Sequence, residues 1–476
     1  MAVALRLEVE HLHQPTGWLS PAFVEIEENG RIARIRATQP RGWEEYERVS
    51  GFVLPGLPNL HSHAFQRGLV GRTERNPDGR ADSFWTWRAL MYRLASRIDP
   101  ESLLAIATQL YVELLEAGYT SVGEFHYLHH DQDGRPYGDP TLLSQAILEA
   151  ARATGLGLCH LPVYYQSGGF DRPAEPLQAR FLHPDPEVFL SFWQRLQPKV
   201  KAAGATLGVA PHSLRAVPET ALFRLLDGIH ALDPLAPIHL HIAEQEAEVA
   251  ACLAHYGERP VAWLLGHAPV GRTWCLVHAT QLAPAEIIPL AKSGAVVGLC
   301  PTTEANLGDG IFPGVDYLEA GGRFGIGSDS HASVSAAEEL RVFEYGQRLR
   351  DRRRNLLGAP SLSGGSVGRR LHDAAVAGGA QALGRGASCL AVGEPADLIR
   401  LDPDHPRLLG HGPDTILDAW IFGSAEAAVS DVWVGGRRVV REGRHFLREK
   451  AARAFREAVH RALPGSSALD RSEPGG

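Results

Sequence analysis

The sequence lacks the features that mark membrane, secreted and nucleic-acid-binding proteins. No stretch approaches the roughly 18 uninterrupted apolar residues of a membrane-spanning helix, so we expect no membrane partner. The N-terminus has no basic region followed by an apolar core and a cleavage site, and we expect no secretory leader. The net charge of −8 gives the surface as a whole no attraction for nucleic acid, which we exclude as a partner.

Cysteine is scarce and shows no pairing pattern. The five cysteines are odd in number, lie far apart and lack metal-like spacing: Cys159, Cys252, Cys275, Cys300 and Cys389. This usage favours a reducing compartment, where free thiols pack as small hydrophobic groups. We therefore expect a cytoplasmic protein.

Both ends of the sequence have the alternating pattern of β-strands. The chain has 476 residues, enough for one large domain and a smaller one. Apolar and polar residues alternate in 23–27 and 31–36, and the turn at Gly30 between them predicts a β-hairpin. The C-terminal part returns to the same texture. We expect 1–52 and 385–446 to form one small β-sandwich.

The middle of the chain alternates short apolar runs with segments of helical periodicity. One strand is expected to end at His61, and further strands are expected at 120–125, 156–165, 206–211, 238–242, 274–278, 295–299 and 324–327. Helices are expected near 83–97, 101–117, 141–154, 186–203, 218–230, 245–265, 284–292 and 334–351. Eight buried parallel strands separated by helices predict a (β/α)8 TIM barrel over 53–384. We expect the last part, 447–476, to be a helix and a disordered tail.

An open, doubly wound sheet is the competing fold. Its nucleotide-binding version carries a Gly-x-Gly-x-x-Gly turn at the start of its first helix. The sequence has no such motif there, which counts against that version and favours the barrel.

A His-x-His motif follows the first barrel strand. Residues two apart in an extended chain point to the same side, so His61 and His63 can reach one metal ion. A short motif of this kind also occurs as a pair of surface or capping histidines. Further ligands elsewhere in the chain are needed to decide between the two interpretations.

Those ligands stand at the ends of later barrel strands, where a TIM barrel builds its active site. The fifth strand ends at His241 with Glu244 beyond it, the sixth at His278 and the eighth at Asp329. His61, His63, His241 and Asp329 make a three-histidine, one-carboxylate set that leaves a position for water, as catalytic zinc requires. Asp329 is then placed to take a proton from that water, and His278 to assist the attack.

Two points about this set remain open from the residues alone. His239 lies on the same strand face as His241 and is the rival ligand, although Glu244 favours His241. A second ion would need a bridging lysine or carboxylate, commonly a lysine after the fourth strand. That strand instead ends in 210–215, Ala-Pro-His-Ser-Leu-Arg, so we expect one divalent ion, with zinc as the first choice.

The motifs resemble the deaminase branch of the amidohydrolase superfamily, in which His-x-Ala-Glu follows the fifth strand. The matching segments lie at 58–67, 83–92, 123–129, 210–215, 239–245 and 327–331. Within that branch the chain is similar to iminohydrolases of histidine degradation. The resemblance implies hydrolysis of N-formimidoyl-L-glutamate to N-formyl-L-glutamate and ammonia, and it suggests a homodimer.

The resemblance also implies roles for individual residues. The substrate, a dicarboxylate with a cationic amidine, would be bound by Gln66, Arg88, Tyr127, His212 and Arg215. Arg88 and Arg215 suit the carboxylates because a guanidinium binds a carboxylate through two parallel hydrogen bonds. Glu244, His278 and Asp329 would be the catalytic residues, with Glu244 protonating the leaving nitrogen.

Two other functions are weighed against this one. A deaminase of the same branch acting on a purine, pterin or triazine ring would need stacking and amide groups in place of two arginines. A barrel retained as a non-catalytic scaffold would be expected to lose metal ligands, yet the whole set is present. The iminohydrolase hypothesis therefore stands first.

Overall fold

The structure, a computed structural model, describes residues 3–74, 84–359, 363–386, 389–424 and 426–463. The tail predicted after residue 464 lies outside the described residues. Within these ranges no helix has both the length and the apolar character that a membrane crossing requires.

The two ends of the chain share one sheet. Its nine strands are β1 Val3–Gln14, β2 Gly17–Leu19, β3 Ala22–Glu27, β4 Ile32–Arg36, β5 Glu47–Pro55, β15 Leu398–Leu401, β16 Val429–Val434, β17 Arg437–Arg441 and β18 Arg444–His445. The antiparallel pairing of β3 with β4 confirms the predicted hairpin. Antiparallel pairing of β15 with β5 joins the C-terminal strands to the N-terminal ones. The hydrogen bonds follow one continuous path, β18-β17-β16-β15-β5-β1-β3-β4, so two separate sheets of a sandwich are not confirmed.

A second sheet, all parallel, forms the barrel. Its segments are β6 Leu57–Ser62, β7 Tyr119–His126, β8 Gly157–Tyr164, β9 Thr206–Leu207, β10 Ala210–Pro211, β11 Ile238–Ile242, β12 Trp274–His278, β13 Val296–Leu299 and β14 Arg323–Ile326. The predicted fourth strand is interrupted, and β9 and β10 both pair with β8. Single bridges from Val209 to Ile238 and from Ser213 to His241 link this fourth strand to β11. These bridges close the ring, which fits a (β/α)8 barrel.

Helices surround this ring. Those described are α1 Phe84–Ala95, α2 Pro100–Glu116, α3 Leu142–Thr154, α4 Pro186–Ala202, α5 Glu219–Leu232, α6 Glu246–Tyr256, α7 Pro260–His267, α8 Pro284–Ser293, α9 Pro301–Leu307, α10 Gly314–Glu319, α11 Ala336–Asp351, α12 Val367–Ala382, α13 Ile416–Phe422 and α14 Arg448–Ala462. The single helix predicted over 245–265 is wrong, because Gly257 adopts a φ of 75° and ends α6 before Pro260 starts α7.

Helix α12 is an element that the sequence pattern does not predict, and it lies against the barrel strands. A Cβ atom at Gly378 would lie 1.9 Å from the carbonyl oxygen of Phe324 on β14, and one at Gly379 would lie 2.8 Å from Pro58 on β6. Only glycine permits this close approach of a helix to the strands. The two glycines thus seat α12 where β14 meets β6, the strand that leads to His61.

Candidate active site

Three imidazoles and a carboxylate meet at the carboxyl ends of the barrel strands. The Nε2 atom of His61 lies 3.2 Å from Nε2 of His63 and 3.0 Å from Nε2 of His241. Oδ1 of Asp329 lies 3.5 Å from Nε2 of His61 and 3.3 Å from Nε2 of His63. All four side chains are buried. The four predicted ligands therefore share one small space.

The protonation of these imidazoles indicates what the space can hold. Nδ1 of His63 is 2.9 Å from the carbonyl oxygen of Phe125, and Nδ1 of His241 is 3.2 Å from that of His212. A carbonyl only accepts, so each Nδ1 carries the proton and each Nε2 presents a lone pair. Burial lowers the pKa of His61 to about 3, which also keeps that ring neutral. Lone pairs that face one another at this distance repel unless a cation lies between them, so the donor set fits a divalent ion.

His239, the rival ligand, faces elsewhere. Its Nε2 atom lies 2.7 Å from the carbonyl oxygen of Ala382, at the end of α12. His239 and His241 are separated by one residue on β11, yet only His241 contacts His61. This hydrogen bond turns His239 away from the group that His241 joins.

Next to the ligands stands a second group of buried side chains. Nε2 of His278 is 3.8 Å from both Oε1 of Glu244 and Oδ2 of Asp329, and its Nδ1 is 3.3 Å from Oε1 of Glu304. Burial alone would lower the pKa of His278, but the carboxylates of Glu244, Glu304 and Asp329 raise it to about 10. Burial, strengthened by the charge of Asp329, raises the pKa of Glu244 to about 7. Burial also disfavours ionised Asp329, yet the neighbouring His61 holds the pKa of Asp329 well below its ordinary value.

The backbone at these strand ends is held in an uncommon conformation. His278 has a φ of 71°, Asp329 a φ of 45° and Ala243, just before Glu244, a φ of 49°. Non-glycine residues adopt this left-handed region rarely, and such residues cluster at functional sites. This uncommon conformation thus occurs at three strand ends of the group.

Three buried glutamates at the site were missed from the sequence. Glu304 accepts from the backbone N–H of Cys300 at 2.9 Å and contacts His278. Glu248 accepts from the backbone N–H of Glu244 at 3.1 Å. Glu124 accepts from Ser62 Oγ at 2.7 Å and from the N–H of Ala64 at 2.7 Å, and so anchors the His-x-His segment. Glu304 and Glu248 lie in the first turns of helices that follow barrel strands, a position that could have singled them out.

One pocket joins this group to the predicted substrate residues. Its lining includes all five predicted substrate-binding residues together with the acid and base groups: Gln66, Arg88, Tyr127, His212, Arg215, Glu244, His278 and Asp329. The segment at 167–186 contributes Phe181 to this wall.

The polar groups of the pocket wall have defined neighbours. Gln66 Nε2 donates to the Tyr127 hydroxyl at 2.8 Å. Nη2 of Arg88 lies 3.9 Å from Oε1 of Glu175, and Nη1 of Arg215 lies 3.8 Å from Oε2 of Glu248. Both distances exceed that of a direct hydrogen bond. The pocket thus brings two positive groups and a set of proton-transfer groups to one cavity.

Comparison with known proteins agrees with this geometry. Residues 52–439 match the model of the amidohydrolase family. The chain is 51% identical over 452 residues to formimidoylglutamate deiminase of Pseudomonas aeruginosa, covering 94% of this chain and 97% of that protein. It is 29% identical over 437 residues to 8-oxoguanine deaminase of the same organism, covering 88% and 89% of the two chains.

Solved structures show the same relationship. A crystal structure of an amidohydrolase from Brucella melitensis superposes with a TM-score of 0.90 and 46% identity, covering 96% of this chain and 100% of that chain. An adenosine deaminase from Xanthomonas campestris with bound zinc gives a TM-score of 0.78 at 22% identity, covering 97% and 99% of the two chains, and at that identity it shows the fold alone. The family match spans most of the sequence and includes every strand of the barrel, and this protein belongs to the amidohydrolase family.

Proposed function

We propose that this protein is a hydrolase that converts N-formimidoyl-L-glutamate and water to N-formyl-L-glutamate and ammonia, a step of histidine degradation. The observation that carries the proposal is the 51% identity, over nearly the full length of both chains, to formimidoylglutamate deiminase. The pocket supports it independently, because Arg88 and Arg215 line the same cavity as Glu244 and Asp329. The carboxylates of such a substrate complement the two arginines, and its cationic amidine complements the acidic side chains.

The substrate is held through its carboxylates. Arg88 and Arg215 bind them, since a guanidinium fork matches a carboxylate with two hydrogen bonds. Gln66, Tyr127 and His212 complete the binding wall.

The proton transfers follow from the positions of three side chains. Oδ2 of Asp329, on the side of His278, takes the proton of the attacking water, while Oδ1 faces His61 and His63. His278 donates a hydrogen bond from Nε2 to the attacking oxygen. Glu244, whose pKa of about 7 keeps a protonated fraction at neutral pH, gives its proton to the nitrogen that leaves as ammonia.

One divalent ion, most suitably Zn²⁺, belongs to this site. His61, His63, His241 and Asp329 would hold it, because their lone pairs converge and the imidazoles are neutral. The ion supplies a Lewis acid that lowers the pKa of the attacking water toward about 7. Elemental analysis tests this part, with about one equivalent of metal per chain expected and a substoichiometric content contradicting it.

The test of the proposed reaction is a substrate panel with ammonia detection. We expect the purified, zinc-loaded protein to release ammonia from N-formimidoyl-L-glutamate and not from guanine, 8-oxoguanine or adenosine. The opposite pattern, turnover of a ring substrate with none of the amidine, would overturn the proposal in favour of a ring deaminase. Metal-loaded protein inactive on the whole panel would favour a scaffold.

The remaining parts of the proposal concern organisation. We propose that 53–384 carry the chemistry and that 1–52 and 385–446 fold over one another as a β-sandwich, with 447–476 as a C-terminal helix and tail. A separate core that includes Val9, Val24 and Trp433 supports packing of the two terminal segments on each other. Five free cysteines suit the cytoplasm, and the resemblance suggests a homodimer, which light scattering would test.

A further inference from the structure

Two tyrosines that the reaction scheme does not use line the pocket beside the arginines. Tyr92 and Tyr165 are both buried, and both contribute to the pocket wall. The guanidinium carbon of Arg88 lies 5.2 Å from the ring centre of Tyr92. Tyr165 packs edge-on against His212, with 4.5 Å between the ring centres. The two phenols therefore stand among the residues assigned to substrate binding.

A single buried amide connects the two phenols. Nε2 of Gln178 lies 3.0 Å from the hydroxyl oxygen of Tyr92 and 2.7 Å from that of Tyr165. Oε1 of Gln178 accepts from the backbone N–H of Glu175 at 2.7 Å. A backbone N–H can only donate, so it fixes which end of the amide is the oxygen. The –NH2 end must then face the tyrosines and donate to both.

The polarity of this contact decides where the phenol hydrogens go. Because Gln178 donates to both hydroxyl oxygens, neither hydroxyl can donate back to it. The two phenols also interact with each other, which uses one hydroxyl hydrogen at most. Neither hydroxyl makes a further hydrogen bond to any residue that the structure describes. At least one phenol hydrogen is therefore available to the pocket.

We infer that Tyr92 and Tyr165 are further specificity-determining residues, which donate a phenol hydrogen bond to a substrate carboxylate beside Arg88 and Arg215. Gln178 is the positioning residue that directs this donor into the pocket. The inference rests on the proposed function for the identity of the ligand, a dicarboxylate. It adds a neutral donor to the two guanidinium groups, and it gives the 3₁₀ helix at Pro176–Phe181 a role in substrate selection.

Four variants separate this role from packing. Tyr92→Phe and Tyr165→Phe each remove one oxygen atom and keep the ring. Gln178→Glu keeps the shape but replaces the –NH2 by an oxygen, so both phenol hydrogens turn toward it and away from the pocket. Tyr164→Phe is the matched control, because the Tyr164 hydroxyl donates to Gln166 at 2.8 Å and is not part of the pocket wall.

Binding of the reaction product is measured first, because it needs no turnover. Calorimetry with N-formyl-L-glutamate should show about 10-fold to 100-fold weaker binding for Gln178→Glu and for at least one Tyr→Phe variant, the range for a hydrogen bond to a charged group. Tyr164→Phe should stay within about 2-fold of the wild type. Wild-type affinity in Tyr92→Phe and Tyr165→Phe would overturn the inference, even if Gln178→Glu did not fold. Failure of the wild type to bind the compound would overturn it too.

Kinetics then show whether the effect belongs to the carboxylate. KM for N-formimidoyl-L-glutamate should rise by the same factor while kcat stays within about 3-fold, which a general loss of structure would not produce. With N-formimidoyl-glycine or N-formimidoyl-4-aminobutyrate, which each lack one carboxylate, the difference between variant and wild type should disappear for one of the two. A wild type that binds N-formyl-L-glutamate but releases no ammonia would refute the proposed function and leave this inference standing.

Discussion

The barrel buries two sets of histidines that share a residue type but differ in their neighbours. At the mouth, His61, His63, His241 and His278 face one another, Asp329 or Glu244. Within the strands, His160 and His239 form an interior set, which contacts another ring or a backbone carbonyl. Burial lowers the pKa of most members of both sets, so burial alone does not distinguish them.

Position along the strand is what distinguishes the two sets. His241 ends a strand at the mouth, whereas His239, two residues earlier on β11, is turned toward Ala382. The carbonyl of Ala382 accepts from His239, whereas the Nε2 lone pairs of His61, His63 and His241 face one another where the strand ends converge. The strand end therefore turns an ordinary buried imidazole into a potential ligand.

The pair His241→Asn and His239→Asn breaks this comparison most directly. We expect His241→Asn to lose bound metal and to lower kcat/KM by a factor on the order of 10³ or more, since both a ligand and the activation of water are lost. His239→Asn should keep its metal and its kcat. It should lower the free energy of unfolding by about 1–3 kcal/mol, because the carbonyl of Ala382 loses its partner. Metal analysis, ammonia release and urea unfolding measure the three quantities, and equal metal loss in both variants would refute the distinction.

A second prediction separates substrate binding from metal binding at the mouth. Arg215→Ala should raise KM about 100-fold with unchanged metal content, because a charge-assisted contact to a carboxylate is lost while the ligands stay intact. Arg215→Lys keeps a positive charge near Glu248 but cannot form the bidentate pair. Its KM should therefore lie between those of the wild type and Arg215→Ala. Steady-state ammonia release gives KM. A wild-type KM in Arg215→Ala would show that the carboxylates bind elsewhere.

Much of the barrel follows from local pattern. The predicted bounds of β11 and β12 agree with the structure to the residue, because each is a short apolar run that a proline or glycine turn precedes. The contacts of His63, His241 and Asp329 with His61 follow from the rule that strand ends share one mouth. These inferences need only the periodicity of the apolar residues and the predicted topology of the chain.

Other parts depend on tertiary contacts that no local pattern contains. Helix α12 has a poor helical sequence because of Gly378 and Gly379, and it forms where a close approach to β14 compensates for them. The contact of Glu304 with His278 joins residues 26 positions apart, and the hydrogen bond from Gln178 to Tyr92 joins residues 86 positions apart. Such pairs can be identified only in the folded chain, because no local sequence pattern links their two members.

The carboxylate of Glu304 gives a third, smaller test of the mouth. Glu304→Gln keeps the shape and an acceptor for His278 but removes the negative charge that helps to raise the pKa of His278. We expect kcat to fall about 10-fold with KM and metal content unchanged, the range for a residue that orients a group at a metal site. Glu286→Gln, a buried glutamate that accepts from backbone N–H groups at α8, is the control and should keep its kcat. A fall in both variants would point to lost folding.

Substitution of His160 should have the smallest effect on the protein, and it tests the interior set directly. Its two ring nitrogens have no partner among the described residues, and burial lowers its pKa from an ordinary 6.5 to about 3. Below pH 6.5 the unfolded chain therefore binds a proton at His160, whereas the folded chain does not bind it until about pH 3. As the pH falls from 6.5 to about 3, this group should lower the free energy of unfolding by about 1.4 kcal/mol per pH unit. The stabilising contribution of neutral His160 is complete above pH 6.5. In His160→Leu the slope of unfolding free energy against pH, measured with urea between about pH 6 and 4.5, should be smaller by that amount, with metal content and kcat at neutral pH unchanged. Identical slopes in the two proteins would mean that water reaches His160, and the interior set would then be less separate from the mouth than its contacts indicate.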